Sequence, residues 1–91
     1  MKGKTSSGFA FTVDEEIKDD MELLENLCAL DKGDLTALPG IVENILGADQ
    51  KKKLYDYCRG KSGRVSSAKV MAEIKGIFDA ISEGSNEALK N

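Results

Sequence analysis

From Asp14 onward, apolar residues recur at helical spacing, and only the stretch before them breaks the rule. Asp14 is placed to cap a first helix over residues 15–31, with Glu15 and Glu16 in its positive first turn. Ile17, Met21, Leu24 and Cys28 then recur at steps of four, three and four, and Leu23, Leu27 and Leu30 widen the stripe. Gly33 supplies a left-handed stop after Lys32. A second helix is expected over 36–46, with Thr36 as cap and Pro39 in the first turn, where its missing N–H costs nothing. Leu38, Ile41, Val42, Ile45 and Leu46 form its stripe, and Gly47 ends it.

A more polar third helix is expected over 48–59, with Lys51, Lys52 and Lys53 in water and Leu54, Tyr57 and Cys58 turned inward. The strongest amphipathic pattern is the last, 67–82, where Ser66 or Ser67 can cap a helix whose apolar face is Val70, Met71, Ile74, Ile77, Phe78 and Ile81. Gly76 inside it costs about 1 kcal/mol against Ala, tolerable where packing is good or a neighbour comes close. Phe9, Phe11 and Val13 instead alternate with period two and read as a short extended segment, which cannot form a sheet alone. The expected fold class is therefore all-α: a small bundle of about four helices with a short extended N-terminal segment and frayed termini. Residues 1–8 are read as a flexible start, 9–82 as a single helical domain and 83–91 as a polar flexible tail.

A chain of 91 residues has room for one core and little stability to spare. There is no His, which removes the commonest acid–base group and metal ligand, and Cys28 and Cys58 lie far apart in apolar segments, as buried thiols would. No catalytic residue, metal or cofactor is expected. Gly60-Lys61-Ser62 has the ending of a phosphate loop, but Tyr55 stands where the first Gly belongs. Gly63 and Val65 fit a calcium hand only in a register whose ligand positions are Cys58, Gly60, Ser62 and Lys69, without a carboxylate. The N-terminus has no apolar signal stretch and no run is long enough to span a bilayer, so a cytoplasmic protein is expected.

Charge divides the chain. Residues 1–50 carry a net −7 and residues 51–91 a net +4, within an overall −3. Lys51, Lys52, Lys53, Arg59, Lys61, Arg64 and Lys69 form either a phosphate-binding patch or a solvated face that offsets the acidic half and helps protomers associate head to tail. An acidic chain without a recognisable recognition helix weighs against nucleic acid. Phe9 and Phe11 leave a similar choice: rings that fold back to complete the core, or a leader outside the bundle that docks on another chain.

The order of segments resembles a known family. Gly8-Phe9-Ala10-Phe11, the acidic Asp19-Asp20-Met21-Glu22-Leu23-Leu24-Glu25, and Gly33-Asp34-Leu35-Thr36-Ala37-Leu38-Pro39 are similar to the first half of the small tail assembly chaperones encoded by long-tailed phages and prophages of Gram-positive bacteria. Ile45-Leu46-Gly47-Ala48-Asp49-Gln50-Lys51-Lys52-Lys53-Leu54-Tyr55 and Gly63-Arg64-Val65 are similar to the second half. The resemblance implies a mainly helical protein of the host cytoplasm, absent from the finished virion, that keeps the tape measure protein soluble and helps recruit tail tube subunits. It carries over no catalytic or metal residue. Such a chaperone needs apolar surface beyond its own core, and Phe9, Phe11, Ile74, Ile77, Phe78 and Ile81 are the candidates for contact with tape measure and tail tube proteins. The alternatives are a small helical adaptor or regulator, homodimeric and with its apolar residues used internally, and a prophage DNA-binding protein. Self-association is expected, with no membrane partner.

Overall fold

The computed structural model describes the backbone of residues 1–90 and side chains through Ile81. It is mostly helical, but it is not a four-helix bundle and not strictly all-α. A two-stranded antiparallel hairpin, β1 (Lys2–Lys4) and β2 (Ala10–Thr12), precedes three helices, α1 (Met21–Asp31), α2 (Leu38–Tyr57) and α3 (Ser67–Lys90). Short 3-10 turns at Glu15–Asp19 and Leu35–Ala37 lead into α1 and α2. The expected tail, 83–91, falls where side chains lie outside the described residues, and Asn91 lies outside them entirely.

The hairpin corrects the reading of the first 13 residues. The Phe9–Val13 segment does have a strand partner, supplied by residues expected to fray: Gly3 pairs with Phe11, Lys2 with Thr12 and Lys4 with Ala10. The alternation of a strand turns Phe9, Phe11 and Val13 to the core and Lys2, Lys4, Ala10 and Thr12 to water. A Cβ on Gly3 would stand 2.6 Å from the tip of the Phe11 ring, so a larger residue there would force the buried ring to shift. With Phe9 at 6% and Phe11 at 3% exposure, the core-completing reading holds, and the leader outside the bundle is ruled out.

The first helix is also corrected. Asp14 does cap, accepting from Glu16 N, but it opens only a 3-10 turn that stops at Asp20, whose φ of −101° and ψ of 108° are extended. Asp20 then caps α1 by accepting from Leu23 N at 3.1 Å. This restart resets the helical phase. Leu23, Leu27 and Leu30 face inward, while Met21, Leu24 and Cys28 face water.

The helices expected over 36–46 and 48–59 follow directly on one another as α2, with the break at Gly47 where the sequence places it. Asp34, rather than Thr36, starts it, accepting from Thr36 N at 3.1 Å in the 3-10 turn, and Pro39 sits harmlessly in the first turn of α2. At Gly47 the backbone leaves the helix, with φ 76° and ψ 168°, a conformation essentially reserved for glycine. Gln50 exploits the bend: its Nε2 donates to Leu46 O at 2.9 Å and to Thr12 O at 2.7 Å, while its Oε1 accepts from Thr12 N at 2.7 Å. One amide thus bonds both backbone groups of Thr12, as a third strand would, and fastens the hairpin edge to the kink.

Ile41, Leu54 and Ile77 are fully buried where α2 meets α3, and the hairpin closes the remaining side. Gly76 lies 3.5 Å, measured from an added Cβ, from Thr5 rather than from a neighbouring helix. The α2–α3 loop is closed by an Arg59–Val65 bridge and by Arg59 Nη1 donating to Gly63 O at 2.6 Å; Ser66 caps α3 by accepting from Lys69 N at 3.2 Å.

Two substitutions test this architecture by urea unfolding. Phe11→Ala is expected to cost about 3–5 kcal/mol, as for a core aromatic, and a loss below about 1 kcal/mol would show that the hairpin is not part of the core. Gly47→Ala is expected to cost about 1–3 kcal/mol through backbone strain alone.

Candidate functional site

With a core that closes on itself, the residues available to a partner are those the fold leaves out. Five of the six expected contact residues are not among them: Phe9, Phe11, Ile74, Ile77 and Ile81 are buried together, and Phe78 is half-buried against the same cluster. Their exposure was the premise of that assignment, and the structure corrects it. The physical reason is size, since so short a chain needs its best amphipathic face for itself.

Most of the continuous exposed apolar surface is on α1, although Met71, expected on the inward face of the last helix, is exposed as well. Met21, at 63% exposure, and Leu24, at 52%, lie three residues apart, and exposed Cys28 comes one turn after Leu24. This i, i+3, i+7 spacing gives one continuous stripe along the helix. Exposed Glu22, Glu25 and Asp31 border it. Leu35, just beyond α1, is 58% exposed. The sequence pattern contained these residues but assigned them inward, because the stripe was phased from Asp14; phasing from Asp20, with Leu23 three residues later, selects the outward face.

A second feature sits at the end of α2. Tyr57, expected to face inward, is exposed, and its hydroxyl donates to Ser7 O at 2.6 Å while its ring lies 5.4 Å from that of Phe9. Beneath it, buried Glu73 accepts from Thr5 Oγ1 at 3.0 Å and from Ser7 Oγ. Thr5 Oγ1 in turn accepts from Phe9 N at 3.1 Å. A carboxylate nearly out of water is thereby held by hydroxyls of the hairpin turn, which locks that turn to α3. Ser7, Tyr57, Cys58, Lys69, Ala72 and Glu73 line a cleft of about 360 Å³ at this junction. A smaller apolar groove of about 260 Å³ lies between Leu35, Leu38, Tyr55, Val65 and Val70.

The remaining chemistry is sparse. Cys58 is buried as expected, whereas Cys28 is not. Burial first, and then the negative charge of Glu73, push the Cys58 thiol above its ordinary 9.0, with Lys69 opposing. A neutral buried thiol is a packing group rather than a nucleophile. Acidic residues crowd the Glu15–Asp19 turn, yet among the described residues no three His, Cys, Asp or Glu side chains are arranged to hold a metal ion. Of the basic cluster, Arg59 is engaged by Gly63 O and by Asp56 at 3.3 Å, and Lys51 lies 5.7 Å from the Tyr55 ring centroid. Among the described residues no helix is long and apolar enough to cross a membrane. Comparison with protein-family models, curated proteins and solved structures finds no match.

The thiols give a direct check on this geometry. In native protein a maleimide is expected to modify Cys28 rapidly and Cys58 only at the rate of opening, so one equivalent reacts before the second. Because the folded state raises the Cys58 pKa, its contribution to stability is complete below the unfolded pKa and fades as pH rises through the folded one. Unfolding midpoints should therefore fall above about pH 9, and less steeply in Cys58→Ala, measured against its own neutral-pH stability.

Proposed function

We propose that this protein is a tail assembly chaperone that holds the tape measure protein of a long-tailed phage soluble in the host cytoplasm while tail tube subunits are recruited. The observation that carries the reading is the outward apolar stripe Met21, Leu24 and Cys28 on α1, helical surface in excess of the core. A long, apolar, helical client needs a surface of this kind, which an amphipathic helix can overlie with its own i, i+3, i+7 residues. Exposed Met suits a holding role, since its flexible thioether adapts to many partners along a repetitive client. The resemblance of segment order, from Gly8-Phe9-Ala10-Phe11 through Gly63-Arg64-Val65, supplies the identity of that client.

A second reading, a homodimeric adaptor or regulator without a client, is favoured by the burial of Ile74, Ile77 and Ile81, which are used internally. DNA binding is supported less, because Arg59 is committed to closing its own loop.

Co-expression with the tape measure protein separates these readings. The wild-type chain is expected to raise the client's soluble yield several-fold, and Met21→Glu or Leu24→Glu to abolish most of that gain while leaving the chaperone's own melting temperature within a few degrees, as for surface changes. If the client is equally soluble without this protein, the chaperone reading fails. If both variants remain fully active, the contact surface lies elsewhere than α1.

A further inference from the structure

The α1 stripe and the cleft beneath Tyr57 are complementary, and they cannot meet within one molecule. The cleft is lined by the hairpin turn, the end of α2 and the first turns of α3, with no residue of α1. Helix α1 instead packs on α2 and on the turn that precedes it.

Their apolar character and the charges at their edges are compatible. The stripe presents two long apolar side chains, Met21 and Leu24, projecting from a helix edged by Glu22, Glu25 and Asp31. The cleft presents the exposed Tyr57 ring and Ala72 around a 360 Å³ space, with Lys69 among its lining residues and exposed Lys53 one turn before Tyr57. A thioether against an aromatic ring is a favourable contact. Glu73 lies in the same lining, but it is buried and turned to the hydroxyls of Thr5 and Ser7. The division of the chain into a −7 half and a +4 half extends the match beyond these residues.

We propose that α1 of one copy docks its Met21–Leu24 stripe into the Tyr57–Ala72 cleft of a second copy, a head-to-tail contact of this chain with itself. The contact is heterologous: a pair of copies retains one free stripe and one free cleft, so association continues into a ring or a short open chain. This self-contact stands independently of any client. Where the chaperone reading also holds, the contact covers the stripe until a client helix displaces the neighbouring copy.

Complementation between two surface variants tests it. Leu24→Glu spoils the stripe and leaves the cleft, whereas Ala72→Glu fills the cleft with charge and leaves the stripe; both positions are exposed, and melting temperatures verify the folds. By sedimentation velocity, wild type is expected to grow in mass with concentration and less so in high salt. Each variant alone is expected to be monomeric, and their equimolar mixture to form a dimer that grows no further. A monomeric wild type at all concentrations would overturn the proposal. So would a mixture that stays monomeric. Self-association of Ala72→Glu at wild-type strength would overturn it in favour of stripe-to-stripe pairing, and the same result for Leu24→Glu would remove the stripe from the contact altogether.

Discussion

The apolar face of α3 has to be covered, and the rest of the structure depends on how little chain there is to cover it. Val70, Ile74, Ile77 and Ile81 form a stripe too apolar to leave in water, and α2 alone covers only one side of it. The hairpin covers the other with two phenylalanines and a valine. In a larger domain a further helix would do this. Here the first 13 residues do it, because alternate residues of a strand deliver large rings to one face in the least length.

A hairpin of two three-residue strands is not stable by itself, so its attachments matter as much as its burial. Three of them are polar. Glu73 takes the hydroxyls of Thr5 and Ser7, Tyr57 reaches Ser7 O, and Gln50 bonds both backbone groups of Thr12. Each sits on a helix that also contributes to the core, so loosening the hairpin and opening α3 are coupled. The burial of the carboxylate is offset by the bonds it accepts: without Glu73 the Thr5 and Ser7 hydroxyls would lose their acceptor at the junction they hold.

Because the hairpin and α2 use up α3, the surplus apolar surface passes to α1, which the restart at Asp20 turns so that Leu23, Leu27 and Leu30 pack inward. The rest of its apolar residues are left outward: Met21, Leu24 and Cys28 within an acidic border. The outward apolar stripe is therefore carried by α1, and the most strongly amphipathic helix, α3, is used in the core. The same economy places Tyr57 outside, where its hydroxyl serves the hairpin turn and its ring walls the cleft.

Local sequence determined the helical character, the break at Gly47, the turn of direction at Gly33, the inward faces of α2 and α3 apart from Tyr57 and Met71, which are exposed, and the core role of Phe9, Phe11 and Val13 as one of two readings. These depend on spacing and on backbone preferences that act within a few residues. Tertiary structure decided the rest. Lys2–Lys4 carries no apolar signal and becomes a strand only because β2 offers it an edge. Asp14 and Asp20 are both good caps, and which of them starts the α-helix, and hence which face of α1 is buried, was settled by packing against α2. Gln50 and Glu73 look like ordinary solvated residues in a polar stretch; their roles exist only because Thr12 and Thr5, 38 and 68 residues away, are folded against them, and no local pattern encodes a contact between groups so far apart along the chain.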